Sequence, residues 1–153
     1  MSTLVKELIS THGVDIDPHL DREALVPVSA GLQRQGDVIV IPEAMAKNVV
    51  STLMVLFKGG LPEANLVAPA GVPVIRGEAG GNTHLLLADG DVRFATVAGA
   101  IVEETFIGLL SVAEGAIGYL AHPEHGYAGI APGTYVIRRQ RELIQNAVRM
   151  VAD

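Results

Sequence analysis

Residues 83–96, THLLLADGDVRFAT, contain the pattern that decides the fold class. Two short, mostly apolar runs, 83–88 and 91–96, flank Asp89-Gly90, a dipeptide that suits a two-residue type I′ turn. Each run has the length of an ordinary β-strand. The stretch therefore predicts a β-hairpin.

A second hairpin is predicted further along the chain, where residues 107–112 and 116–121 flank Glu114-Gly115. Short strands at this spacing are typical of a small β-barrel or sandwich. We therefore expect an α+β fold that is mainly β, with helices before and after the strands, and cupin-like at most by analogy. Single strands are also expected at 38–41, 74–77, 127–130 and 134–141.

Residues 1–30 are predicted to form a helical extension ahead of a β-rich domain at 31–153. Apolar side chains recur at helical spacing over 4–9. A second short helix is predicted at 17–24, because it opens with Asp followed by Pro, an N-cap and first-turn pair.

Two helices are predicted within the β-rich domain. The first, at about 42–59, reads as an insertion, and the second is an amphipathic C-terminal helix at about 142–152. The insertion carries apolar side chains at four-residue steps, although its β-branched pair also leaves a strand open. These apolar residues are Met45, Val49, Val50, Leu53, Met54 and Phe57. Residues 60–72 read as a loop.

The composition limits the function classes. The chain has 153 residues, the size of one domain, and no cysteine, which excludes thiol nucleophiles, disulfides, thiolate zinc sites and iron–sulfur clusters. Its net charge of −6 and its six aromatic rings of Phe and Tyr, with no Trp, argue against a nucleic-acid partner.

The chain is rich in apolar residues. Hydrophobic residues make up 49% and charged residues only 18%, and the mean hydropathy is +0.37. We expect the surplus apolar surface, above all at 45–57, to be covered in a homo-oligomer. The most apolar run, 49–57, is too short to span a membrane, and no signal peptide is evident, so we expect a cytoplasmic protein.

Three histidines are candidate metal ligands. His122 and His125 flank Pro123-Glu124 in a short turn between two predicted strands, and His84 follows a glycine-rich turn. Three imidazoles with an open position can hold a divalent metal such as zinc or iron. Glu124 is a candidate further ligand or general base. In the alternative interpretation, these histidines are solvated or only form hydrogen bonds that hold a loop.

Arg138, Arg139 and Arg141 form a basic cluster in the last predicted strand. Guanidinium groups bind anions bidentately, so the cluster is a candidate anion site, with ion pairing to nearby acids as the alternative. Strand alternation predicts that Arg139 is more buried than Arg138.

Four motifs together resemble a family of small uncharacterised bacterial and phage-associated proteins. They are 34–38 (RQGDV), 77–84 (GEAGGNTH), 122–126 (HPEHG) and 132–142 (PGTYVIRRQRE). The resemblance covers about 32–153, with 43–69 as an insertion. It implies a shared site, because His84, His122 and His125 match three of that family's four histidines, while Asn82 stands at the fourth position and is a weaker candidate ligand.

Two functions of different classes follow from these patterns. The first is a non-enzymatic assembly protein that forms a homo-oligomer, with a phage- or prophage-related structural role as its finer form. The alternative is a mononuclear metal-binding domain or small metalloenzyme that uses the three histidines.

Overall fold

The computed structural model describes residues 3–59, 62–75, 83–96 and 105–140. Its helices are α1 (Val5–His12) and α2 (Lys47–Leu56), the latter preceded by a 3₁₀ turn at Glu43–Met45. Its strands are β1 (Val28–Ser29), β2 (Gln33–Gln35), β3 (Val38–Pro42), β4 (Asn65–Leu66), β5 (Val72–Ile75), β6 (His84–Asp89), β7 (Val92–Thr96), β8 (Phe106–Val112), β9 (Ile117–His122), β10 (Gly126–Ile130) and β11 (Gly133–Arg139).

These strands form two sheets. The five-stranded sheet has the order β1-β10-β9-β6-β5, and the six-stranded sheet has the order β2-β3-β11-β8-β7-β4. Neighbouring strands are antiparallel except β1 and β10, which are parallel. The two sheets are arranged as a sandwich, which confirms the predicted mainly β fold.

The hydrophobic core of the described residues consists of three clusters, one between the two sheets and one on the outer face of each sheet. The main cluster draws from strands of both sheets, with Leu86 and Leu120 from one and Leu110 and Ile137 from the other. A second cluster joins α2 to the outer face of the six-stranded sheet, and a third joins α1 to the outer face of the five-stranded sheet. Helices thus cover both outer faces of the sandwich.

Both predicted hairpins are wrong. The turn at Asp89-Gly90 joins β6 to β7, which lie in different sheets, and Glu114-Gly115 likewise joins β8 to β9. β6 pairs with β9, and β7 pairs with β8. A turn-forming dipeptide specifies a change of chain direction, whereas the partner of each strand is chosen by packing across the whole domain.

The helical extension predicted over 1–30 is largely wrong within its described part. Only Val5–His12 is α-helical, and 17–24 forms two successive turns instead of a helix. The backbone of this segment forms hydrogen bonds with other parts of the chain. The backbone N–H of Asp17 donates to the Pro123 carbonyl at 2.8 Å, and β1 pairs with β10. These tertiary hydrogen bonds replace those that a helix would supply.

The helix predicted at about 42–59 is present as α2, although it is shorter. Leu53 is fully buried and Val49 nearly so, and both pack against the six-stranded sheet. The loop predicted at 60–72 contains β4, which pairs with β7. The C-terminal helix predicted at about 142–152 lies outside the described residues. In the described part of the chain, no helix is long and apolar enough to cross a membrane.

Candidate metal centre

The three candidate histidines lie at one end of the five-stranded sheet. His84 is the first residue of β6, His122 is the last residue of β9, and His125 lies in the turn that connects β9 to β10. β6 and β9 are neighbours, and Leu85 pairs with Ala121, so His84 and His122 begin and end adjacent strands. The register of these strands is what brings together residues that are far apart in the sequence.

The three imidazoles form one cluster. Each offers a nitrogen, and these three nitrogens all lie within 4.8 Å of one another. The ring centroids of His84 and His122 are 4.2 Å apart, and those of His122 and His125 are 4.6 Å apart. His84 and His122 are buried, whereas His125 is exposed. The cluster is therefore accessible from the His125 side.

His84 is in the protonation state that a metal requires. Burial, and then the nearby His122 and His125, lower the pKa of His84 to about 4, outweighing the opposing effects of Asp37 and of the Gln35 backbone carbonyl. The ring is consequently neutral at physiological pH. Neutral imidazole is the form that ligates transition metals.

Both ring nitrogens of His84 are buried, and neither makes a hydrogen bond of regular geometry, although the backbone carbonyl of Gln35 lies close enough to raise the pKa of the ring. An unsatisfied buried polar atom costs about 1–3 kcal/mol. The interpretation that these histidines only form hydrogen bonds that hold a loop therefore fits His84 poorly. The loop-holding interpretation agrees better with His122, because Nδ1 of His122 accepts a hydrogen bond from the backbone N–H of Glu124 at 3.1 Å.

That hydrogen bond has a chemical consequence for His122. Because Nδ1 accepts an N–H, the proton of the neutral ring lies on Nε2. Either nitrogen of a neutral His122 can bind a metal only after the hydrogen bond from the Glu124 N–H is broken. Breaking that hydrogen bond costs about 0.5–1.5 kcal/mol. His84 and His125 are thus the more readily available ligands, and His122 must exchange one interaction for another.

The β2–β3 turn of the opposite sheet lies against the cluster, and sequence reasoning missed it. A Cβ atom built on Gly36 would lie 2.8 Å from Nε2 of His125 and 3.1 Å from Nε2 of His84. Both nitrogens therefore face the same small volume beside the Gly36 backbone. The RQGDV motif was visible in the sequence, but nothing local to it indicates which residues it meets.

The other candidate ligands contribute less. Glu124 is exposed, and its carboxylate is not among the groups that converge in the described residues. Asn82 lies outside the described residues. Whether the three histidines hold a metal stays a prediction.

The burial of the arginines differs from the expectation. Arg138 is half-buried and donates to Oγ1 of Thr105 at 3.2 Å, while Arg139 is exposed, so the predicted order of burial is wrong. The register of β11 against β8 shifts between Ile137 and Arg138, and this irregularity interrupts the alternation on which the expectation relied. Arg141 lies outside the described residues, and anion binding by the cluster stays a prediction.

The fold and the site define a class of protein: a two-sheet β-sandwich with a histidine cluster at one end and helices on its outer faces. The chain belongs to the family described as a domain of unknown function, DUF8820, whose model matches residues 34–140. The matched span begins one residue before Gln35-Gly36 and includes all three histidines. No curated protein and no solved structure is significantly similar to the chain.

Proposed function

We propose that this protein is a metal-binding domain with a mononuclear centre at His84, His122 and His125. The observation that carries the proposal is the convergence of three imidazole nitrogens within 4.8 Å, with both nitrogens of the buried His84 making no hydrogen bond of regular geometry. A bound cation would satisfy one of those nitrogens and recover part of the energy lost by burying it.

The ligand set indicates the kind of metal. Imidazole nitrogens suit zinc, copper, nickel and iron, whereas calcium and magnesium prefer oxygen ligands. Zinc–nitrogen bonds are about 2.0–2.1 Å long, so the nitrogens would move closer together on binding. Three histidines leave a coordination position for water or a substrate. If the centre catalyses hydrolysis, Glu124 is the candidate general base and Asn82 a candidate weak ligand.

The test is a metal titration of the purified protein with zinc or cobalt(II), combined with elemental analysis. We expect one metal ion per chain in the unmodified protein and the loss of stoichiometric binding in His84→Ala and His125→Ala. His19→Ala is the matched control, because His19 is exposed and lies outside the cluster. Equal binding by all four proteins, or no binding by the unmodified protein, would overturn the proposal.

A second candidate function, self-association as an assembly protein, is favoured by an independent observation. The outer side of α2 and the residue that follows it expose an apolar surface, which we call the α2 patch: Met54, Val55, Leu56 and Phe57. Val55 is 79% exposed. Adjacent exposed apolar side chains are typical of a protein–protein contact, and a second copy of the chain is the simplest partner.

Three finer expectations accompany these two proposals. A phage- or prophage-related structural role would be one form of the assembly function. A cytoplasmic location agrees with an acidic chain that has no cysteine. Nucleic acid is not proposed as a partner, because the net charge of −6 opposes it.

A further inference from the structure

Gln35 connects the two sheets beside the histidine cluster. It lies on β2 of the six-stranded sheet, and its Nε2 donates to the carbonyls of Leu120 at 3.1 Å and Gly126 at 3.2 Å in the other sheet. Leu120 precedes His122 by two residues, and Gly126 directly follows His125. The amide of Gln35 therefore holds both ends of the segment that carries two candidate ligands.

The orientation of this amide is determined by its partners. Both N–H groups of Nε2 go to carbonyl oxygens, which cannot donate, so Oε1 must be the other atom of the amide. Oε1 is buried and has no hydrogen-bond partner, and the whole Gln35 residue is only 6% exposed. Gln35 thus presents an unused acceptor in the interior.

Three buried side-chain atoms make no hydrogen bond of regular geometry in the part of the chain that the structure describes: Gln35 Oε1, His84 Nδ1 and His84 Nε2. The backbone carbonyl of Gln35 is also close to the His84 ring, so both acceptors near this ring belong to Gln35. Of the three buried atoms, one is an acceptor, and the other two belong to a neutral imidazole, which has one N–H and one bare nitrogen. Nε2 of His84 faces the volume beside Gly36 that Nε2 of His125 also faces. Nε2 is therefore the nitrogen placed to ligate, which leaves the proton on Nδ1.

We propose that Gln35 is a positioning residue of this centre: it holds the His122–His125 turn through Nε2, and its Oε1 accepts the Nδ1–H of His84 when a metal binds. The arrangement would satisfy all three buried atoms together. Metal-ligating histidines usually donate their second ring N–H to a carboxylate, a backbone carbonyl or water, which orients the ring and strengthens the ligand. The side-chain oxygen of glutamine is an acceptor of the same kind as a backbone carbonyl. The inference rests on the proposed metal-binding function.

The first experiment compares cobalt(II) affinity in the unmodified protein, Gln35→Met and Gln33→Met. Gln33 is the matched control, since it lies on the same strand and its Nε2 likewise donates to two carbonyls, that of Ser29 on β1 and that of Gly129, which lies further along β10 from the histidines. We expect cobalt(II) to bind Gln35→Met about 10- to 100-fold more weakly, the usual range for such partners, with little change in Gln33→Met.

The outcomes are distinguishable. A purely structural role for Gln35 would lower the unfolding midpoint of Gln35→Met but leave its cobalt affinity equal to that of Gln33→Met and of the unmodified protein, which would overturn the inference. If the unmodified protein binds no cobalt, the proposed function itself fails. Should Gln35→Met not fold, NMR of the zinc-loaded unmodified protein decides: we expect a slowly exchanging Nδ1–H on His84, and a rapidly exchanging one would contradict the inference.

Discussion

Gly36 keeps open the volume that Nε2 of His84 and Nε2 of His125 face. Its φ of 56° lies in the left-handed region, and a Cβ there would come within 2.8 Å of a histidine nitrogen. Glycine at this position therefore serves both the turn geometry and the histidine cluster.

Gly36→Ala should weaken metal binding by 10-fold or more, because the added methyl group occupies space beside both nitrogens. The left-handed backbone adds a loss of about 1 kcal/mol in the free energy of unfolding. Gly13→Ala is the control: Gly13 also has a positive φ, 77°, but a Cβ there meets nothing within 4 Å. Metal titration and urea denaturation of both variants test this, and equal metal affinities would contradict it.

The connection between α1 and the five-stranded sheet depends on Tyr127 of β10. Its hydroxyl donates to the carbonyl of Val14 at 2.6 Å, just after α1, and burial raises the pKa of Tyr127 to about 12. A tyrosine whose pKa is higher in the folded state stabilises the protein below pH 10. That stability is lost as the pH rises from about 10 towards 12.

Tyr127→Phe should lower the free energy of unfolding at neutral pH by about 0.5–1.5 kcal/mol, the usual worth of one hydrogen bond. Above pH 10 the difference between the two proteins should shrink, because the unmodified chain alone loses the contribution of Tyr127. Urea denaturation at several pH values between 8 and about 11 measures this. A difference that stays constant over this range would show that the buried hydroxyl does not behave as described.

The whole molecule presents the α2 patch to solvent while burying the opposite side of the helix. Leu53 is 0% exposed, whereas Val55 is 79% exposed. The apolar row that the sequence analysis assigned to self-association is therefore divided between two roles. Leu53 belongs to the core of one chain, and Val55 belongs to the surface that a second copy would cover.

Val55→Glu should leave the fold intact and shift the mass in light scattering from an oligomer towards a monomer of 16.0 kDa. Leu53→Glu should instead unfold the protein, because it places a charge in the core. Lys47→Glu is the control on the same helix, since Lys47 is exposed and does not belong to the patch. An unmodified protein that runs at the monomer mass at micromolar concentration would contradict self-association.

Much of the local structure could be predicted from the sequence. Strands β3 and β5 to β11 and helix α2 lie close to their predicted positions, because apolar periodicity and turn residues act over a few neighbouring residues. Strands β1, β2 and β4 were missed, since they have only two or three residues each and depend on their partners. The three histidines were identified by residue type and spacing alone.

Only the tertiary structure decided which strands pair and what surrounds the histidines. Asp89-Gly90 and Glu114-Gly115 specify turns, but burial of apolar side chains between two sheets sends the chain across the sandwich at both places. The same packing brings Gly36 of the β2–β3 turn against His84 and His125, and places the Gln35 amide on the Leu120 carbonyl of the other sheet. Local residue patterns determine where strands and turns form, whereas long-range burial determines which of them meet.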